Sequence, residues 1–414
     1  MSPRLAAVVV VLSALALMGV SIGVRTHGQG LFGDEEAPAA GPWDRTAWQH
    51  GGDPETGAIV VDLADGASDD TRGRVGDELA AAIAPYRWET GAAALGTALE
   101  SDAQIYRVTA PRSEIDDVLR TLGSDADVET VEVEHRWSVP ERIDAGGIAR
   151  PDGVVRPVDG GDRFVPDDPY YANQWHLDQI GMPTAWTRGR GEGAVVAVID
   201  TGVAYRNAGR FAQAPDLGQT RFVPGWDFVD NDDSPDDEHG HGTHVAGTIA
   251  QSTNNALGVA GVAPGAAIMP LRVLDASGAG GWAAIASAIR WAADHGADVI
   301  NMSLGGGMRS RTVERAIDYA HDHGVVIVAA AGNSSNSAVE YPARHDHVIA
   351  VGAVRYDREL SFYSCYGDGL DIVAPGGDTR VDQNGDGLPD GVLQNTIVGR
   401  DVRRFDYLAL QGTS

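Results

Sequence analysis

The 414-residue chain contains no lysine. All 31 basic residues are arginine, set against 59 acidic ones, for a net charge of −28. An acidic balance of that size excludes nucleic acid as the main partner, because phosphate binding needs basic patches. It also excludes an anionic membrane surface. Cysteine is nearly absent: the single Cys365 excludes an internal disulfide and any multi-cysteine zinc site. Glycine, by contrast, is abundant. It supplies 53 of 414 residues, near twice the usual ~7%, which implies tight turns and close backbone approaches. At roughly 150 residues per domain the length suggests about two to three domains, enough to bury a core without staples.

Residues 5–24 form one apolar run, flanked by Arg4 and Arg25. It exceeds the 7–15 apolar residues of a typical export signal and is long enough to span a bilayer. Two readings of residues 1–25 stay open, a cleaved signal peptide and an uncleaved signal-anchor. Both place the remainder outside the cytoplasm, secreted or anchored, with membrane contact only through this segment. Residues 26–56 are rich in Gly, Pro, Ala and acids and read as a linker. From 57 to 137 the pattern changes to strand-like runs at 58–63, 104–108 and 128–134. Between them, Ile115, Val118, Leu119 and Leu122 share one helical face, with Ser113 placed as N-cap. This predicts a small α+β module with nothing resembling a catalytic site. Residues 138–165, with three prolines and Gly pairs, read as a second linker.

The chemistry lies beyond residue 165. A fully apolar run, 194–199, ends in Asp200-Thr201-Gly202. Such a strand suits the middle of a parallel sheet, and a carboxylate at its C-terminal end stands where open α/β sheets place their sites; a turn-forming Asp would read the same way. His241-Gly242-Thr243-His244-Val245-Ala246-Gly247 opens a helix of small residues. The zinc spacing i, i+4 with Glu is missing, so a metal reading fails. A helix is expected around Trp282, Ile285, Ile289 and Trp291. Residues 299–302 form a further strand that exits through Ser303-Leu304-Gly305, a Gly-rich edge able to pair with an extended peptide. Residues 325–331 repeat the design and end in Gly332-Asn333, whose amide is a neutral donor suited to an oxyanion. Strand and helix alternate throughout, as a parallel sheet requires.

Asp, His and Ser in that chain order form one known order of the hydrolytic triad. With the words Val198-Ile199-Asp200-Thr201-Gly202, His241-Gly242-Thr243-His244-Val245-Ala246-Gly247, Ser303-Leu304-Gly305, Ala331-Gly332-Asn333 and Gly412-Thr413-Ser414, the sequence resembles the subtilisin-like serine proteases over residues 166–414. The resemblance implies a doubly wound, mostly parallel α/β sheet with helices on both faces, and a serine endopeptidase. Ser414 would be the nucleophile, His241 the general base, Asp200 its orienting partner and Asn333 the oxyanion donor. Ser303, Leu304 and Gly305 on one edge, and Gly278, Ala279 and Gly280 on the other, would sandwich an extended peptide or protein substrate. His244 is expected to be structural. Ser334 follows Asn333, so no acid is expected there to favour a basic substrate residue.

The same resemblance makes 57–137 the enzyme's own inhibitory propeptide, removed by cleavage within 138–165. It also implies a buried helix after Gly-Thr-Ser, so the chain as it ends at Ser414 is expected to be incomplete and nearly inactive. Two regions are candidates for structural calcium, which takes six to eight oxygens. Residues 253–259 resemble the family's calcium loop, with Thr253, Asn255, Leu257 and Val259 as ligands and Asp216 as carboxylate partner. Asp382, Asn384, Asp386 and Asp390 stand at positions 1, 3, 5 and 9 of a loop with Gly at position 6. That loop reads as the start of a calcium site or as a solvated acidic turn. The acid-rich run 230–237 is expected to be a solvated face. The alternative to the enzyme is a non-catalytic calcium-binding or interaction protein on a protease scaffold.

Overall fold

Alternation along residues 56–63 builds a strand with two unlike apolar faces, and each face finds a different partner. In the computed structural model, which describes residues 56–65, 67–68, 71, 74–75, 105–139 and 162–414, this strand is β1 (Thr56–Leu63). It is the centre of an antiparallel sheet, flanked by β2 (Ile105–Pro111) and β3 (Val128–Val133). Ile59, Val61 and Leu63 pack on helix α1 (Ile115–Leu122) through Ile115, Val118 and Leu122. On the other face Val60 and Ile105 join the core of the larger domain. Ser113 does not cap α1. Glu114 takes the cap position with no side-chain hydrogen bond, and its N–H donates to the Pro111 carbonyl at 2.9 Å. Strand β4 (Arg136–Ser138) follows. The apolar segment 5–24, the linker 26–55 and residues 140–161 of the second linker lie outside the described residues. Among the described residues no helix is long and apolar enough to cross a membrane.

The larger domain opens with short helices α2 (Trp175–Gln179) and α3 (Met182–Ala185). There follow β5 (Val195–Asp200), the two-residue strands β6 (Arg221–Phe222) and β7 (Trp226–Asp227), α4 (His241–Ala250), β8 (Ala267–Arg272) and β9 (Ala279–Gly281). Next come α5 (Trp282–Asp294), β10 (Val299–Met302), α6 (Arg311–Asp322), β11 (Val326–Ala330), β12 (Val348–Val354) and β13 (Ile372–Pro375). A hairpin of β14 (Val392–Ile397) and β15 (Phe405–Leu410) completes it. The main sheet has eight strands in the order β13-β12-β11-β10-β5-β8-β6, with β7 also on β8. All its pairings are parallel.

Successive side chains of a strand point to opposite faces, and β5 uses both. Ala197 and Ile199 face α5 and α6 with Ile285, Ile289 and Ile317. Val196 and Val198 face α4 with Val245, Ala246 and Ala250. The fold is therefore a doubly wound α/β sheet with helices on both sides. Strand order reverses between β5 and β10, and such a switch point opens a crevice at the strands' carboxyl ends. Asp200 ends β5 and Ser303 follows β10 at that crevice.

The small module docks on α5 and α6. Glu132 accepts from Arg311 N and Thr312 N, both at 3.1 Å, at the start of α6, where the helix dipole favours a carboxylate. Glu134 accepts from Ala283 N at the start of α5, at 3.4 Å. Thr130 and Thr312 share a hydroxyl–hydroxyl hydrogen bond of 3.0 Å.

Candidate active site

Asp200 is fully buried. One of its oxygens accepts the Thr201 N–H at 2.7 Å. His241 Nδ1 lies 2.8 Å from Asp200 Oδ1 and 3.0 Å from Oδ2. A carboxylate only accepts, so Nδ1 carries the proton and Nε2 is left as the basic nitrogen. His241 takes this position because it is the first residue of α4, and α4 packs very close to the end of β5. A side chain at Gly242 would collide with the Gly202 carbonyl, so the glycine brings helix and strand into contact.

Asp237 fastens the two elements together. It is 1% exposed and accepts five hydrogen bonds: from Thr201 Oγ1, His239 N and Gly240 N on one oxygen, and from Thr243 N and Oγ1 on the other. The acidic run is thus not a uniform solvated face: Asp230, Asp232 and Asp233 are exposed, whereas Asp236 and Asp237 are buried. Sequence reading missed Asp237. Its place four residues before His241, ahead of a helix without a Ser or Thr cap, was the available signal.

Asn333 follows β11. Its Oδ1 accepts from Thr413 N at 2.9 Å and Thr413 Oγ1 at 2.8 Å. The backbone donor settles the amide's orientation and leaves Nδ2 as its donor end. Ser414 is exposed, and its Oγ donates to the Ser303 carbonyl at 3.4 Å. His244 is buried, with Nε2 3.1 Å from the Val392 carbonyl and 3.2 Å from that of Leu408. Burial pushes its pKa down to about 4, so it stays neutral behind the site.

The two glycine-rich edges face each other across a cleft, and β4 lies between them. Trp137 pairs with Gly280 and Ser138 with Ala279. Val139 N donates to the Gly278 carbonyl at 2.9 Å. On the opposite edge Ser138 and Gly305 form an antiparallel bridge. Trp137 is buried beside Trp282, with ring centroids 5.9 Å apart, and its Nε1 donates to the Met308 carbonyl.

Asp216, Asn255 and Val259 converge. Asp216 accepts from Val259 N at 2.9 Å and Asn255 Nδ2 at 3.1 Å, and burial raises its pKa to about 7. Asp168, missed in the sequence, accepts from Asn254 N in the same loop at 2.8 Å. In the second loop Asp382 accepts from Gly385 N and Gly387 N, and Asp390 Oδ2 from Gln383 N. Asp390 is fully buried and its Oδ1 has no partner. Among the described residues no three His, Cys, Asp or Glu side chains are grouped as a metal site.

A parallel sheet with a buried Asp–His pair at its switch point has the parts that a serine peptidase of the α/β class uses. The profile of the subtilase family matches residues 191–414, more than half of the chain. Thermitase of Thermoactinomyces vulgaris is 45% identical over 214 residues, covering 51% of this chain and 74% of that protein. A thermophilic serine proteinase of Bacillus sp. (strain AK1) is 48% identical over 218 residues, covering 52% of each. Among solved structures, fervidolysin of Fervidobacterium pennivorans, a keratinolytic enzyme related to subtilisin, superposes with a TM-score of 0.63 at 26% identity. That match covers 86% of this chain and 52% of the other. The chain belongs to the subtilase family, and the enzyme is a subtilisin-like serine endopeptidase.

Proposed function

We propose that the full-length enzyme hydrolyses peptide bonds through Asp200, His241 and Ser414, as a secreted or anchored precursor inhibited by its own N-terminal module. The observation that supports this reading is the buried His241–Asp200 pair at the end of β5, in a domain whose two glycine-rich edges pair with residues 137–139. Ser414 Oγ attacks the substrate carbonyl carbon while His241 Nε2 takes the hydroxyl proton. The carbonyl oxygen becomes an oxyanion, which accepts from Asn333 Nδ2. Asp200 stabilises the imidazolium that forms. The C–N bond then breaks, His241 hands its proton to the departing amine, and an ester to Ser414 remains. Water, deprotonated by His241, releases the acid and regenerates the hydroxyl.

The zymogen reading rests on direction and register. Residues 136–139 lie in the cleft as an antiparallel strand, the form of an extended substrate. The fervidolysin match also covers more of the chain than residues 166–414 alone contain. Cleavage after the module, within 138–165, would free the cleft. Export is supported by the apolar segment 5–24 alone.

Calcium would act as a structural ion, at Asp216 with Thr253, Asn255, Leu257 and Val259, and at Asp382, Asn384, Asp386 and Asp390. All donors are hard oxygens, as calcium requires, and the unpartnered Asp390 Oδ1 suits such an ion. Without a cluster of three acidic side chains, carbonyl and amide oxygens would make up the shell. A fluorophosphonate probe tests the catalytic reading: it labels Ser414 of the full-length enzyme, and an unlabelled Ser414 favours the non-catalytic scaffold.

A further inference from the structure

Glu340 lies seven residues past Asn333, yet the chain folds it back beneath the cleft. A Cβ at Gly332, next to Asn333, would meet Glu340 Cδ at 2.6 Å and Oε2 at 2.8 Å. A Cβ at Gly305 would point to Glu340 Oε2 at 3.8 Å. The carboxylate therefore sits between two glycine-bearing segments, one after β10 that bridges to β4 and one after β11 that carries Asn333.

The register of β4 shows which substrate residue meets it. Ser138 faces Gly305 in an antiparallel bridge, so a strand two residues longer faces Ser303. The Ser303 carbonyl is 3.4 Å from Ser414 Oγ. That position is the residue on the acyl side of the scissile bond. Side chains alternate along a strand, which puts this residue on the opposite face from Trp137. The wall alternates in the same way. The Cβ direction of Gly306 points at Trp137 Cδ1, at 2.5 Å, and that of Gly305 points at Tyr341 and Glu340.

The partners of this carboxylate are neutral. Ser334 Oγ donates to Oε1 at 2.6 Å, and Cys365 Sγ lies 4.0 Å from it. Among the described residues no Arg or His forms an ion pair with Glu340, whereas the buried Asp236, Asp227 and Glu134 each have an arginine partner. A half-buried carboxylate with hydrogen bonds only from neutral groups is complementary to a cation brought by the ligand.

We propose that Glu340 makes the acyl-side pocket of this endopeptidase selective for arginine and lysine. The inference rests on the catalytic reading of Ser414 and names the substrate class of that site. It corrects the sequence expectation of no acid beside Asn333, because the acid arrives from further along the chain.

The test uses the full-length enzyme, its active sites counted with a fluorophosphonate. Peptides differing only in the acyl-side residue are compared as Arg, Lys, Leu and Phe. The expected result is a higher kcat/KM for Arg and Lys, with Glu340→Gln lowering those two by about 10- to 100-fold and changing Leu by less than about 3-fold. A wild-type preference for Leu or Phe overturns the proposal, as does an Arg-to-Leu ratio that Glu340→Gln leaves unchanged. Binding of peptides ending in Arg or in Leu, measured by calorimetry, reads the pocket without turnover. Equal affinities there overturn the proposal even if catalysis is absent, whereas loss of labelling and cleavage with Arg-selective binding retained overturns only the catalytic reading.

Discussion

Ser138 and Gly305 exchange both main-chain hydrogen bonds, 3.2 Å from Ser138 N to the Gly305 carbonyl and 3.1 Å in return. A two-way bond of this kind fixes the register of β4 against the glycine-rich segment that follows β10.

Trp137 is the largest side chain of that segment and is 2% exposed. Replacing it with Ala removes burial of the kind worth about 3–5 kcal/mol. Full-length Trp137→Ala is expected to react with a fluorophosphonate faster than the wild type. An unchanged labelling rate would mean that β4 does not control access to the cleft.

Asp200→Asn is expected to lower kcat about 10⁴-fold, since the amide carries no charge to stabilise the imidazolium and its NH2 facing Nδ1 selects the wrong tautomer. Asn333→Ala is expected to cost about 10²–10³-fold, the loss associated with the corresponding donor in subtilisin. Asp200→Ala and His241→Ala should both leave the precursor uncut on a denaturing gel. A precursor that still matured unaided would rule out self-processing.

Asp237 serves as an acceptor for five donors that tie the β5 end to the first turn of α4. Truncation leaves those buried donors unsatisfied, so Asp237→Ala is expected to destabilise the domain by about 3 kcal/mol or more. Denaturant unfolding measures this, and a change within about 0.5 kcal/mol would show that the network is dispensable.

Asp62 lies on the module face that meets α5 and α6, fully buried, with neither carboxylate oxygen hydrogen-bonded. Burial raises its pKa to about 7; Glu129 of β3 and Asp65 add to the rise, while Arg290 of α5 and Arg315 of α6 oppose it. The docked module therefore holds this proton more tightly than the undocked one, whose carboxyl keeps its ordinary value of 3.8. The contribution to docking is complete below about pH 4 and is lost as the pH rises to about 7. Amides of β1–β3, corrected for intrinsic exchange, are expected to be more protected at pH 5 than at pH 8. Asp62→Asn should flatten that difference, and an equally steep Asn variant would refute the assignment.

Chelation should lower the melting temperature by about 5–10 °C if calcium is bound well above its Kd, and added calcium should restore it. Asp390→Ala should reduce the chelator's effect. Identical melting curves with and without chelator would dismiss the structural ion.

Much of the fold was legible because its signals are local. The apolar run ending in Asp200 reads as a central parallel strand whatever surrounds it. The spacing of Trp282, Ile285 and Ile289 reads as a helix, and α5 covers Trp282–Asp294. The chemistry-bearing words were legible for the same reason, since a glycine needed for close approach stands next to the residue that approaches. Ser113 was misplaced as a cap because the turn out of β2 is set by the Pro111 carbonyl, which composition does not reveal.

By itself, then, the sequence determined the alternation of strand and helix, the candidate triad and the two glycine-rich edges. Each of these depends on periodicity or on neighbours within a few residues. Only the tertiary structure decided that Glu340 folds back against Gly332 and Ser334, that Asp237 joins β5 to α4, and that Asp62 is buried without a hydrogen-bond partner against α5 and α6. The physical reason is that a carboxylate's behaviour depends on its solvation and on the donors around it. Those donors come from distant segments, brought together by strand order and register that no local pattern encodes.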